Sequence, residues 1–165
     1  MKFRYLFLIA CLIGISVLLK AQSSYHTLLD TLYKNTVKTI QVNDLNIHDT
    51  NLIILDTRSE SEFGVSHLPG AIWVDYDHFT EKDLNKFPKN KTIVTYCTVG
   101  YRSERVGEKL LELGYKDVFN LYGGIIEWVN EGNSVENMDH QKTEKVHTYS
   151  KAWSVWLKKG IKVYE

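Results

Sequence analysis

The sequence predicts an α/β domain built on a mainly parallel β-sheet flanked by helices, and three observations carry that expectation. Short apolar blocks alternate with segments of helical spacing: Leu52-Ile53-Ile54-Leu55, Ala71-Ile72-Trp73-Val74, Thr92 to Tyr96, and Val118-Phe119-Asn120-Leu121. The first block is apolar without interruption, as suits a strand covered on both faces. Asp56 and Cys97 each follow such a block directly. They fall at the carboxyl ends of strands, where open α/β sheets hold their ligands.

The chain opens with Lys2 and Arg4, an apolar run from Tyr5 to Leu19, and then Lys20-Ala21-Gln22-Ser23-Ser24. A positive end, an apolar stretch and small residues after it describe a secretory signal peptide over residues 1–22, cut near Ala21 or Gln22. The run falls short of the about 20 residues a membrane span needs. Retention as an uncleaved anchor is the alternative, and only then does the protein meet a membrane. Leu8-Ile9-Ala10-Cys11 has the look of a lipoprotein processing box, but the apolar run before Cys11 is short and continues past it. The expected location is the bacterial periplasm or the exterior, with envelope anchoring as the alternative.

Residues 23–36 form an N-terminal helical extension, since Tyr25, Leu28, Leu29, Leu32 and Tyr33 recur at helical spacing. The main domain spans 37–135. Thr36 to Ile40 alternates weakly and suits a first strand. Val42, Leu45 and Ile47 suggest a brief helical turn capped by Asn43. After the Leu52 block, Ser59 caps a helical turn reaching Phe63, and His67-Leu68-Pro69-Gly70 makes a turn. Phe79, Leu84 and Phe87 face inward from a polar segment that Pro88 to Lys91 breaks. From Ser103, a stripe of Val106, Leu110 and Leu113 predicts a helix that Gly114 ends. Gly123-Gly124 turns the chain into a last helix carrying Ile125, Ile126, Trp128 and Val129. Residues 136–165 are a C-terminal extension. The polar stretch Asn133 to Lys145 looks like a linker or surface arm. Trp153, Trp156 and Leu157 then mark a short amphipathic helix that packs back on the domain.

Lys plus Arg and Asp plus Glu number 20 each, so no net field draws the chain to nucleic acid. Loss of Cys11 with the leader leaves Cys97 as the one thiol of the mature domain, without an internal disulfide. The six histidines are scattered and no Cys/His set offers a zinc site. No metal, no cofactor and a monomer are expected.

The chemistry gathers at Cys97-Thr98-Val99-Gly100-Tyr101-Arg102-Ser103. The thiolate is the reactive form of cysteine, and three features favour an anion here. The loop enters a helix, whose unpaired N–H groups and dipole attract negative charge. Amides from Thr98 to Arg102 can curl into a nest around the sulfur. Arg102 adds a fixed positive charge. Gly100 supplies the positive φ of a tight loop, and Ser103 can cap the helix or donate to a bound oxyanion.

This loop resembles the active-site loop of rhodanese-like sulfurtransferases. Leu55-Asp56-Thr57-Arg58-Ser59-Glu60-Ser61-Glu62-Phe63, followed by His67 to Ile72, resembles the first signature of that family. Leu121-Tyr122-Gly123-Gly124-Ile125-Ile126-Glu127-Trp128 resembles its second. All three occur in the family's order. The sequence departs from the pattern at Ser66, where Gly is frequent, and at Gly132-Asn133-Ser134-Val135, which lacks the usual Pro.

The resemblance implies a five-stranded sheet and a persulfide mechanism. Cys97 would take a sulfane sulfur from a small anionic donor such as thiosulfate and pass it to cyanide or a thiol, with a protein thiol as a further candidate partner. Arg102 would bind the donor and stabilise the leaving group, and Thr98, Val99, Gly100, Tyr101 and Ser103 would cradle the persulfide. Asp56 and Arg58 match a family pair and read as an ion pair and turn-maker. Four residues separate Cys97 from Arg102, one fewer than in related phosphatases, and the tighter loop suits one extra sulfur. The alternative is a sulfur-carrier or redox-partner module with little turnover of small molecules, which the uncharged Thr98 and Val99 favour.

Overall fold

The computed structural model describes residues 24–164. The leader of 1–22 and Cys11 lie outside the described residues. The chain divides into a short unit ending at Leu32 and the main body from Tyr33 onward. Within the first, residues 24–32 are helical (α1), as the spacing of Tyr25, Leu28, Leu29 and Leu32 predicts. No helix among the described residues is long and apolar enough to cross a membrane.

The main body is an α/β fold with one five-stranded parallel sheet. Its strands are β1 (Lys38–Ile40), β2 (Leu52–Asp56), β3 (Ile72–Trp73), β4 (Thr92–Tyr96) and β5 (Val118–Leu121), ordered β1-β5-β4-β2-β3. Each apolar block of the sequence became a strand; β4, inside the sheet, is buried along most of its length, while β3 is an edge strand with Ile72 exposed. The central register sets Asp56 of β2 beside Tyr96 of β4. The two strands therefore end level, and the loops after them start from one edge. Four helices follow: α2 (Glu60–Val65), α3 (Glu81–Asn85), α4 (Tyr101–Glu112) and α5 (Gly124–Asn130). Leu55, Leu84, Ile93, Val106, Leu110 and Val118 pack in the core between sheet and helices.

Local signals account for the helix ends. Ser59 caps α2 with a reciprocal box, its hydroxyl accepting from Glu62 N–H while the Glu62 carboxylate accepts from Ser59 N–H. Beyond α4, Gly114 N–H donates to Leu111 O and Tyr115 N–H to Leu110 O, which closes the helix. Helix α4 begins two residues before Ser103, with Gly100 as its cap.

Four details differ from the sequence expectation. The turn at Val42–Asp44 is a 3-10 turn preceded by Gln41, so Asn43 sits inside it and caps nothing. The polar stretch after Gly132 is not a free arm. It folds into an antiparallel hairpin of β6 (Val135–Glu136) and β7 (Lys142–Thr143), and Glu136 bridges backbone to backbone with His67. The Trp153–Trp156 segment is a 3-10 turn, not an α-helix. It does pack back, since Asn130 at the end of α5 donates to Trp156 O at 3.0 Å and accepts from Lys158 N–H at 2.8 Å. Finally, β8 (Lys145–His147) pairs in parallel with β9 (Ile161–Val163) and lies beside α2. The two sequence departures also have physical readings. Ser66 has an extended backbone, φ −171°, which any residue adopts. The turn at Gly132 is closed by Gly132 N–H to Val129 O and Asn133 N–H to Trp128 O, without Pro.

Candidate active site

Cys97 sits one residue beyond β4, and the chain wraps around its sulfur before entering α4. Four successive carbonyls of this loop are held by outside donors. Cys97 O accepts from Ile125 N–H at 3.0 Å and Thr98 O from Ile126 N–H at 3.3 Å. These are first-turn amides of α5, which have no partner within their own helix. Val99 O accepts from the Tyr33 hydroxyl at 2.6 Å and Gly100 O from Asn120 Nδ2 at 2.9 Å. Within the loop, Gly100 N–H donates to Cys97 Sγ at 3.2 Å.

Two glycines make the close approach possible. Gly100 has φ +100°, and a Cβ there would stand 2.1 Å from the Tyr33 hydroxyl. A Cβ on Gly124 would stand 2.3 Å from Cys97 O. Backbone cannot retreat from that contact, so α5 reaches the loop only through a residue without a side chain. Tyr33 ties both sides together, donating to Val99 O and accepting from Gly123 N–H at 2.9 Å. Burial pushes its phenol well above the usual range, which keeps it a donor.

The remaining loop residues divide by role. Ser103 is fully buried and donates to Asn120 Oδ1 at 2.7 Å. It does not cap α4, whose cap is Gly100. Its work is to orient Asn120, which holds Gly100 O. Tyr101 is about half-exposed on the first turn of α4, near Arg105. Thr98 and Val99 are buried.

Arg102 has a partner that the sequence did not reveal. Its guanidinium donates to both oxygens of Glu62, at 2.8 and 2.7 Å, and to Thr98 Oγ1 at 3.0 Å. Thr98 in turn donates to Glu62 Oε1 at 3.0 Å. Burial works against the Glu62 anion, but the bonds from Arg102 and from Ser59 N–H outweigh it and bring its pKa down to about 2. Burial likewise works against the Arg102 cation, and Glu62 outweighs it, so Arg102 titrates above its ordinary range. Glu62 links the loop to α2. Its one local signal is its place three residues after Ser59, which reads as a capping box and gives no hint of a second role.

Asp56 and Arg58 lie deeper, as an ion pair and turn-maker. Arg58 donates to Asp56 through Nε at 2.9 Å and Nη2 at 2.6 Å, and to Ser66 O at 2.6 Å. Both are fully buried. The Tyr96 hydroxyl closes the set, donating to Asp56 Oδ2 at 2.5 Å and accepting from Leu68 N–H. The pair thus fixes the turn from β2 into α2, and α2 carries Glu62 to Arg102. Elsewhere, His67, Glu136 and His140 place ligand-type atoms within 4.8 Å of one another.

The fold and this loop define a class. The sequence model described as Rhodanese-like domain matches residues 39–131, over half of the chain, and the chain belongs to that family. It carries the enzyme-type form of the domain, with the cysteine of the loop in place. Over 100 residues the chain is 38% identical to a tRNA uridine(34) hydroxylase of Yersinia enterocolitica, covering 58% of this chain and 28% of that protein. The match thus spans little more than a quarter of that relative's length. Among solved structures, a rhodanese-like domain protein of Staphylococcus aureus shares 30% identity at a TM-score of 0.51, covering 61% of this chain and 97% of that one. The BH2092 protein of Bacillus halodurans shares 25% identity at a TM-score of 0.56, covering 70% and 85%.

Proposed function

We propose that the protein is a sulfurtransferase that carries sulfane sulfur on Cys97. The observation that supports it most is the loop whose four carbonyls are bound from outside and whose Gly100 amide donates to the sulfur. Such a cradle suits an anionic sulfur. In the first step the Cys97 thiolate attacks the outer sulfur of a donor such as thiosulfate. A new S–S bond forms, the S–S bond of the donor breaks, and sulfite leaves with the electron pair. In the second step cyanide or a thiolate attacks the outer sulfur of the persulfide, and Cys97 leaves as the thiolate. Arg102 acts as a positioning residue, holding Glu62 and Thr98 at the loop.

The test is intact mass after thiosulfate and then cyanide. One added sulfur should appear, cyanide should remove it, and Cys97→Ser should gain none. A wild-type chain that never gains sulfur sinks the proposal.

A second reading rests on a specific observation. Cys97 is 1% exposed, Arg102 is occupied by Glu62, and Thr98 and Val99 carry no charge. A site so nearly neutral suits sulfur handed over from a partner's persulfide, with the partner's thiol as the leaving group, better than turnover of a small dianion. Steady-state thiocyanate production separates the two: persulfide formation without it supports a carrier. The proposal includes export to the bacterial envelope, on the pattern of residues 1–22. Recovery of the protein with the cytoplasmic fraction would remove that part.

A further inference from the structure

We propose that His67, Glu136 and His140 form a binding site for a divalent first-row transition metal of the zinc class, which clamps the β6–β7 hairpin to the turn after α2. The inference is independent of the sulfur chemistry.

The backbone brings the first two ligands together. His67 and Glu136 exchange both N–H to carbonyl bonds at 2.9 Å, so their Cα positions are fixed across the bridge. His140 lies four residues further on, at the tip of the hairpin, where Asn137 accepts from Asp139 and Gln141 N–H and shapes the turn. The tautomer of His67 follows from its neighbours. Its Nδ1 lies 3.1 Å from Phe63 O, and a carbonyl can only accept, so Nδ1 carries the proton. In the neutral ring Nε2 then presents a lone pair. That lone pair faces Glu136 Oε1 at 3.6 Å, a carboxylate oxygen that also only accepts. With the ring neutral, two acceptors face each other beyond hydrogen-bond distance, beside the Gly70 N–H that donates to the same Oε1 at 3.3 Å, and a cation between them would satisfy both.

His140 supplies the third donor. Its Nδ1 lies 3.0 Å from the same Oε1. A neutral His140 can shift its proton to Nε2 and free Nδ1 with no net proton change. Ligands of a tetrahedral zinc stand about 3.3 Å apart, given metal–ligand bonds of about 2.0–2.1 Å. The two separations from Glu136 Oε1, 3.0 and 3.6 Å, bracket that value, and the two histidine nitrogens lie within 4.8 Å of each other. The side chain of His67 is buried while that of His140 is 79% exposed, so a water can complete the shell from the solvent side. The Phe63 carbonyl bond to Nδ1, with Phe63 stacked on the imidazole at 3.9 Å, fixes the ring as metal-bound histidines are usually fixed. Two imidazoles and one carboxylate favour zinc-like ions over magnesium or calcium, which prefer all-oxygen sites.

The test is titration of the full chain with Zn²⁺ by calorimetry and with Co²⁺ by absorbance. The expected result is one ion per chain, a tetrahedral Co²⁺ spectrum without a thiolate charge-transfer band, and unchanged affinity in Cys97→Ser. His140→Ala should weaken binding by at least about tenfold, while its metal-free Tm stays at the wild-type value because the residue is exposed. Glu136→Gln should weaken binding similarly. His78→Ala, at an exposed His78–Asp75 pair, should leave it unchanged. The proposal is overturned if no stoichiometric binding occurs, if binding depends on Cys97, or if His140→Ala and Glu136→Gln bind as the wild type does.

Discussion

Two arginine–carboxylate pairs, one just before helix α2 and one anchored on it by Glu62, do different work. Asp56–Arg58 is sealed in the interior, with both side chains at 0% exposure. Glu62–Arg102 lies at the loop, with Arg102 at 16% and Glu62 at 3%. Both are bidentate, so geometry alone does not separate them. The surroundings do. Arg58 spends its other contact on a backbone carbonyl, that of Ser66, and fixes a turn. Arg102 spends its other contact on Thr98, next to Cys97, and fixes the Cys97 loop. The first pair is sealed from water and holds architecture, whereas Arg102 of the second stays within reach of solvent.

Breaking the interior pair has the largest expected effect. Arg58→Ala leaves Asp56 buried with no counter-charge, and loss of one member of such a pair costs about 3–5 kcal/mol. Urea denaturation should show that loss directly. A cost under about 1 kcal/mol would place Arg58 with surface pairs and end the distinction.

Acid acts next, and on the other pair. The Glu62 pKa in the fold is about 2 against an ordinary 4.5. A carboxyl with a lowered folded pKa stabilises the protein above its unfolded value and loses that contribution as pH falls through the folded one. The stabilisation is therefore full above about pH 4.5 and gone near pH 2, at most about 3 kcal/mol for the shift. Glu62→Gln should be less stable than wild type at pH 6, and the gap should close as pH falls through this window. A gap that stays constant with pH would mean that Glu62 acts through shape and not through charge.

Arg102→Ala is expected to cost about 1.5–3 kcal/mol, the range for a hydrogen bond to a charged group. That is less than Arg58→Ala, because water can reach the vacated side of Glu62. Its larger effect should fall on sulfur loading of Cys97. Arg102→Lys keeps the charge but not the fork, so recovery of stability without recovery of loading would show that the fork itself positions the loop. In a double-mutant cycle, Arg102→Ala and Glu62→Gln should be non-additive.

The two pairs also show what a sequence can disclose. Asp56 and Arg58 are two residues apart on one turn, and local proximity made their pairing readable. Glu62 and Arg102 are forty apart. Nothing near Arg102 signals a buried acid, so an anionic donor was the natural partner to expect. The sheet was legible because apolar blocks must be buried somewhere, and the helices because caps such as Ser59 and Gly114 are local. The β6–β7 hairpin was not. Its strands are two residues long, with no room for alternation to appear, and its bridge partner His67 lies far back in the chain. Trp153 and Trp156 misled for another reason, since spacing of i, i+3 fits a 3-10 turn as well as an α-helix.

The smallest effect tests how far the C-terminal extension takes part in the rim pair. Tyr149 places its ring 5.3 Å from the Arg102 guanidinium carbon, yet holds φ at +66°, a conformation that costs a non-glycine residue about 1–3 kcal/mol. A partly exposed cation–π contact returns about 0.5–1 kcal/mol. The contact alone does not offset the strain, so Tyr149→Ala should lose the contact, keep the strain and destabilise by about 0.5–1 kcal/mol. Tyr149→Gly loses the same contact but relieves the strain, against a cost of about 0.5–1 kcal/mol for freeing the unfolded chain. The glycine variant should therefore equal or exceed the alanine variant in Tm. The reverse order would mean that the backbone at Tyr149 is not strained, and that the extension rests on Arg102 through the ring alone.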